Sequence, residues 1–484
     1  MKNKLRMPHP ATMFLLLTVA VVMLSWIFDI YGLRVINPQT GEVIRAQSLL
    51  GPEGIRWLLR HVVTNFTGFA PLGMVMVAMF GVGVAEHSGF IGACIRRSLR
   101  KHPSQEGVIL VVILLGVISN IVGDAGYIIL IPIAATLFQS VKLHPVAGIV
   151  TAYVSVACGF SANLFVSTLD PILARITQEA AANMTTYQGN IGALSNYYFM
   201  FVSTFVVTAV IYFITKKSLL PKLGEYTGHA PYDNYKSLTK KEQRALIISL
   251  GAGFIYTLII VLATFSPWGI LRGITGSLTR SPFIFGVLFL ISFGIGLMGT
   301  IYGFASGRYR RDSDVITGLS HPMQLLGVYF VIAFFAAQMF ACFEYSRLDK
   351  CLAIMGANLL TSIHTNSFVT LLLFILFTTV INLIMVSATA KWTFMAFIFV
   401  PMFAAMGINP DLTQCAFRIG DSATNAITPF LFYMPLILAY MQQYDKQANY
   451  SSLLKYTWRY SLAILVFWTA FFVVWYLLNI PLGI

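Results

Sequence analysis

The feature that most constrains this chain is its set of apolar runs long enough to cross a lipid bilayer. A spanning helix needs about 20 mostly apolar residues. Windows of that length fall near Ala11–Tyr31, Pro71–Ile95, Pro145–Thr168, Ser195–Thr215, Ala245–Phe265, Phe283–Phe304, Met323–Phe343, Leu412–Tyr440 and Tyr460–Ile480. The chain is 57% apolar and only 10% charged, against about 25% charged in soluble proteins. A water-facing globular enzyme is therefore excluded. Lys2, Lys4 and Arg6 precede the first run as they would in a signal peptide. No A-x-A cleavage site follows, so the run is expected to stay as a helix.

Two further apolar stretches resist assignment as single spans. Residues 107–139 are interrupted by Ser119-Asn120-Ile121-Val122-Gly123-Asp124, and residues 368–406 by Ser387-Ala388-Thr389-Ala390-Lys391. Each is too long for one helix and too short for two crossings. A re-entrant hairpin with a polar tip fits both, provided that the tip is buried in protein or lines a wet cavity.

Charge tests this topology. With the N-terminus inside, the cytoplasmic segments hold 21 Lys and Arg and the outer ones hold 9, the bias expected of cytoplasmic loops. The same bias accounts for the net charge of +14, so a nucleic-acid partner is not expected. The five cysteines form no CxxC motif and the eight histidines no HExxH motif, which leaves no sign of a disulfide framework or a zinc site. Residues 55–62 have helical apolar spacing and are expected to lie flat at the outer interface. Gly81 and Gly83, like Gly294 and Gly296, suit close helix packing.

The hairpins and the segments after them resemble each other. The first unit carries Ser119-Asn120, Pro132, Pro145 and Gly159-Phe160-Ser161-Ala162-Asn163. The second carries Ser387-Ala388-Thr389, Pro401, Pro410 and Gly420-Asp421-Ser422-Ala423-Thr424-Asn425. One hairpin opens from the cytoplasm and the other from outside, so the repeats are inverted. The fold expected is an all-α polytopic membrane protein with nine transmembrane helices and two re-entrant hairpins. Its parts are an N-terminal half (1–215), a basic connector with a linking span (216–281) and an inverted C-terminal half (282–484). Inverted repeats with broken helices are the layout of secondary transporters, which hold substrate and coupling ion near the midplane. Both post-hairpin spans should be discontinuous, at Gly159–Asn163 and Gly420–Asn425.

Two cations, Lys391 and Arg418, fall within the membrane, where charge is functional by default. Arg418, Asp421 and Asn425 stand at i, i+3 and i+7, which puts them on one helical face. Two readings of Arg418 remain open: a salt bridge locked to Asp421, or a bidentate contact with a substrate carboxylate. Asp421, Asn425 and Asn382 are the candidate ligands of a coupling sodium, or Asp421 a proton carrier. Asn163 and Asp124 are further coupling-ion candidates. Ser387, Thr389, Lys391 and Trp392 at the second tip are candidate substrate contacts, Trp392 through ring stacking.

The stretches Asn65-Phe-Thr-Gly-Phe-Ala-Pro-Leu-Gly73, His144-Pro-Val-Ala-Gly148, Gly159-Phe-Ser-Ala-Asn-Leu164, Ile176-Thr-Gln-Glu-Ala-Ala181, Ile398-Phe-Val-Pro-Met402 and Phe417-Arg-Ile-Gly-Asp-Ser422 resemble the AbgT family of p-aminobenzoyl-glutamate transporters. The resemblance runs along nearly the whole chain in family order. It implies nine spans with two hairpins, a homodimer in the bacterial inner membrane, and cation-driven movement of p-aminobenzoyl-glutamate, with no cofactor beyond sodium or a proton. Some family members are also credited with exporting sulfonamide antimetabolites. Residues matching family functional positions are Asp170, Asn382, Trp392, Pro410, Arg418, Asp421, Asn425 and Pro429. Thr389 stands where some relatives have Ser, and Gly123-Asp124-Ala125-Gly126 departs from a Ser-Asp form. A dianion with an aryl ring suits Arg418 and Lys391 for its carboxylates and Trp392 for its ring. The competing class is an intramembrane enzyme on lipid-linked substrates, which would need a nucleophile with a base, or a metal cluster. The sequence offers neither.

Overall fold

The computed structural model describes residues 8–36, 41–99, 104–122, 125–167, 169–182, 191–224, 226, 238–266, 268–273, 281–361 and 366–483. Asp124 lies outside them. Apart from a short antiparallel ribbon pairing Arg34–Ile36 with Val43–Arg45, the regular structure described is helical.

Among the described residues, seven helical segments are long and apolar enough to cross a membrane. They cover all the expected spans but two, Pro145–Thr168 and Leu412–Tyr440, and each of those two is broken. The first is helical over Pro145–Cys158, then irregular, and resumes as a separate helix over Asp170–Ala182. The second runs Pro410–Ala423 and resumes at Met434–Tyr444. The first break begins at Gly159 as expected. The second begins at Thr424, inside the expected Gly420–Asn425 segment. Gly420 itself is helical and closely packed: a Cβ there would lie 2.6 Å from the Ile375 carbonyl oxygen and 2.7 Å from Thr378 Cβ. The expected span from Met323 is the apolar part of a longer helix, Asp312–Tyr345, with Pro322 inside it.

Burial divides the helices into a rim and a centre. Helix Lys240–Phe265 presents Phe254, Ile255 and Ile259 outward, and Pro282–Ser306 presents Phe285, Phe289 and Phe293. Apolar side chains on an outer face suit contact with lipid. By contrast every residue of Pro145–Cys158 is buried, as are twelve of the fourteen in Pro410–Ala423. The rim is tied inward by small residues. A Cβ on Gly81 would sit 1.9 Å from the Ser292 carbonyl oxygen, and one on Gly296 3.2 Å from Gly81 Cα. Helix Ala70–His87 therefore meets Pro282–Ser306 backbone to backbone. At the periphery, helix Pro52–Thr67 exposes Ile55, Leu59 and Val63 at i, i+4 and i+8, an apolar stripe suited to the membrane interface.

Both interrupted stretches form hairpins whose ends meet. The first has arms Gln105–Ser119 and Ala125–Ser140, and Gln105 Nε2 donates to the Val141 carbonyl at 3.1 Å. The second has arms Ser367–Asn382 and Ala388–Ala405, and Ser367 Oγ donates to the Met406 carbonyl at 3.1 Å. Each chain thus returns to the level at which it entered. Phe374 and Phe377 of one arm pack on Phe399 of the other.

The repeat correspondence differs in one detail from the sequence match of Ser119-Asn120 with Ser387-Ala388-Thr389. Asn120 Nδ2 donates to the Val156 carbonyl at 3.0 Å, two residues before the end of its broken helix. Asn382 Nδ2 donates to the Asp421 carbonyl at 2.6 Å, again two residues before the helix end. The structural counterpart of Asn120 is Asn382, because the asparagine that ends each entering arm ties that arm to a broken helix.

Candidate functional site

The two broken helices meet at their interruptions. Asn425 Nδ2 donates to the Ala157 carbonyl at 3.1 Å, and Tyr153 donates its hydroxyl to the Asn425 carbonyl at 3.3 Å. Cys158 Sγ lies 3.5 Å from the Ala423 carbonyl oxygen. The carbonyls that a helix end leaves unpaired are here shared between the halves.

Beside this junction lies a buried ion pair. Lys391 Nζ is 2.7 Å from Asp421 Oδ1, with side-chain exposures of 0% and 1%. Ser387 caps the helix that carries Lys391, with its hydroxyl accepting from Ala390 N–H. Lys391 also donates to Asn382 Oδ1 at 2.5 Å. Asn382 Nδ2 in turn reaches the Asp421 carbonyl, Thr424 Oγ1 at 3.1 Å and Asn425 Oδ1 at 2.8 Å. Taking two charges out of water is repaid only by pairing and by hydrogen bonds to what remains. The contact between Lys391 and Asp421 is close but not aligned as a hydrogen bond, and both carboxylate oxygens retain accepting capacity.

A second buried pair lies one turn earlier on the same helix. Arg418 Nη2 is 2.5 Å from Asp170 Oδ1. Asp170 Oδ2 accepts from the Ser167 N–H at 2.6 Å and from the Ser167 hydroxyl at 2.9 Å. Asp170 opens the helix that follows the first break. The Arg418–Asp421 bridge left open above is not formed, since each residue is paired from another element. Arg418 Nε has no hydrogen-bond partner among the described residues.

Trp392 is fully buried and packs on Phe417 with ring centroids 4.4 Å apart. Its Nε1 donates to Thr177 Oγ1 at 2.9 Å, which also accepts from Gln414 Nε2 at 2.7 Å. Asn196 Nδ2 donates to Gln414 Oε1 at 2.5 Å. Thr177, Gln414 and Asn196 were not singled out from the sequence. One available signal was Gln414, four residues before Arg418 and so on the same helical face.

Ser387 and Thr389 stand at the tip of the second hairpin, their hydroxyls 3.4 Å apart. Both line a cavity of about 220 Å³ shared with Asn425, Tyr127, Phe160 and Tyr433. An adjoining cavity of about 360 Å³ shares Val386, Ser387 and Phe432 and is also lined by Glu344, Asp349 and Lys350. The structure thus gathers Lys391, Asp421, Asn382 and Asn425 in one cluster and Arg418 with Asp170 in another. Lys391, Trp392 and Arg418 do not line the tip cavity. Asn163 is buried within the first break, with Oδ1 unpartnered among the described residues. Pro410 opens its helix, and Pro429 lies in the second interruption.

These features agree with comparisons to known proteins. The model of the "AbgT putative transporter family" matches residues 2–484. The Escherichia coli (strain K12) p-aminobenzoyl-glutamate transport protein is 32% identical over 479 residues, covering 99% of this chain and 94% of that protein. The crystal structure of the Alcanivorax borkumensis YdaH transporter, described as having an unusual topology, aligns with a TM-score of 0.54 and 37% identity, covering 99% and 100% of the two chains. Neisseria gonorrhoeae MtrF, described as illuminating a class of antimetabolite efflux pumps, aligns with a TM-score of 0.53 and 36% identity over 98% and 96%. Family and architecture lead to one conclusion: this chain is a multi-pass membrane protein of the AbgT family of transporters.

Proposed function

We propose that this protein is a cation-coupled secondary transporter of p-aminobenzoyl-glutamate in the bacterial inner membrane, working as a homodimer with its N-terminus in the cytoplasm. The observation that carries the reading is the pair of broken helices, each tied to its own hairpin and meeting beside two buried ion pairs. In such folds the half-helix ends hold charged substrate groups and the unwound backbone holds the coupling ion. The E. coli relative bears the substrate's name.

In this reading the carboxylates of Asp170 and of the substrate compete for Arg418, whose planar fork suits either. Asp421, with Asn382 and Asn425, answers the coupling cation. Asn382 Oδ1 and Asp421 Oδ1 both face Lys391 Nζ, so a sodium ion at these oxygens would require Lys391 to give way. Proton coupling at Asp421 would need no such displacement. Imposing sodium and pH gradients separately on reconstituted vesicles distinguishes the two.

A second reading, export of sulfonamide-type antimetabolites, is favoured by the likeness to MtrF. A sulfonamide offers the aniline ring without the two carboxylates. Its transport should therefore survive changes at Arg418 that abolish movement of the dianion.

A further inference from the structure

We propose that the cavity at the tip of the second hairpin is the aryl compartment of the transport path, holding the p-aminobenzoyl ring between aromatic side chains while its anionic end faces the start of the returning helix. The inference rests on the substrate reading above and deepens it by placing the ring.

The cavity combines two surfaces with opposite preferences. Tyr127 and Tyr433 stack with ring centroids 4.9 Å apart and planes 10° apart, and both line it, as do Phe160 and Phe432. Parallel stacking of this kind makes a rigid aromatic wall to which a further ring adds at the face or edge. The lining also includes Ser387, Ala388 and Thr389, the cap and first residues of the helix Ala388–Ala405. The first N–H groups of a helix lack intrahelical partners and carry the positive end of its dipole. Two hydroxyls and Asn425 add hydrogen-bonding capacity there. A ligand suited to both surfaces is an aromatic ring joined through an amide to a carboxylate.

Size agrees with one ring rather than a whole ligand. A cavity of about 150 Å³ binds benzene, so about 220 Å³ accommodates a benzoyl group and little more. Trp392, by contrast, is sealed, with its ring against Phe417 and its N–H committed to Thr177.

The test is photolabelling of the purified full-length protein with 4-azidobenzoyl-glutamate, followed by peptide mapping. Equilibrium binding of p-aminobenzoyl-glutamate and p-aminobenzoate to the wild type, Tyr433→Ala, Tyr433→Phe and Phe160→Ala accompanies it. The expected result is label on peptides containing Tyr127, Phe160 or residues 432–433, removed by excess p-aminobenzoyl-glutamate. Binding of both ligands should weaken about ten-fold in the alanine variants and little in Tyr433→Phe. Label confined to the Trp392 peptide, or alanine variants that bind as the wild type does, would overturn the inference while leaving the transport reading intact. Label in the cavity competed by p-aminobenzoate or a sulfonamide but not by p-aminobenzoyl-glutamate would sustain the aryl compartment and defeat the substrate reading. No competable label anywhere would overturn both. The mapping uses unaltered protein, so a misfolded variant cannot decide the result.

Discussion

Lys391 and Asp421 form an ion pair of 2.7 Å in which neither side chain reaches solvent, although each comes from a different repeat element, the returning hairpin arm and the broken helix. Removing one partner strands the other. Breaking a buried pair costs about 3–5 kcal/mol, whereas replacing both charges is often near neutral. Lys391→Met and Asp421→Asn should each lower the unfolding temperature in detergent, and the double variant should recover most of the loss. Strictly additive losses would show that the two charges do not depend on each other.

Arg418 is the predicted carboxylate contact. Charge-assisted hydrogen bonds contribute about 1.5–3 kcal/mol, so Arg418→Ala should weaken p-aminobenzoyl-glutamate binding by roughly 10- to 150-fold. Arg418→Lys should recover part of this, since an ammonium cannot reproduce the fork. A neutral sulfonamide should be little affected. Equal losses for the two ligands, measured by equilibrium binding to folded protein, would assign Arg418 a purely structural role with Asp170.

How much of this was legible beforehand depended on the kind of signal. Helix spacing related Arg418 to Asp421, whereas Asn425 lies past the helix end, and interrupted hydropathy located both hairpins. Spacing relates residues of one helix only, however, so it could not reveal that Asp421 turns to Lys391 and Arg418 to Asp170. The break expected over Gly420–Asn425 falls at its far end, and Gly420 itself admits the backbone of the entering arm. Thr177 and Gln414 escaped the same reading because their partners lie on other elements, which spacing along one helix does not relate.

Thr177 accepts N–H bonds from both Trp392 and Gln414 while donating to the Leu173 carbonyl at 2.8 Å. Thr177→Val removes the acceptor and keeps the shape, leaving two buried donors unsatisfied. The expected cost is about 1–3 kcal/mol for each, with Thr177→Ser close to the wild type. Thermal unfolding of the three proteins checks this, and a valine variant as stable as the parent would contradict it.

Gly420→Ala should separate insertion from activity. The added Cβ meets backbone of the entering arm 2.6 Å away, so the second hairpin must shift from the broken helix. The variant should reach the membrane at ordinary levels and lose most of its transport. Normal flux from a variant at normal abundance would show that this close approach is dispensable.

The account as a whole rests on coupled transport through the Asp421 cluster. The direct test is uptake of labelled p-aminobenzoyl-glutamate into proteoliposomes under separately imposed sodium and pH gradients, comparing the wild type with Asp421→Asn. The account predicts that one of the two gradients drives accumulation by the wild type, and that Asp421→Asn loses this accumulation while retaining exchange of substrate across the membrane. Accumulation by Asp421→Asn equal to that of the wild type, or flux by the wild type indifferent to both gradients, would contradict it.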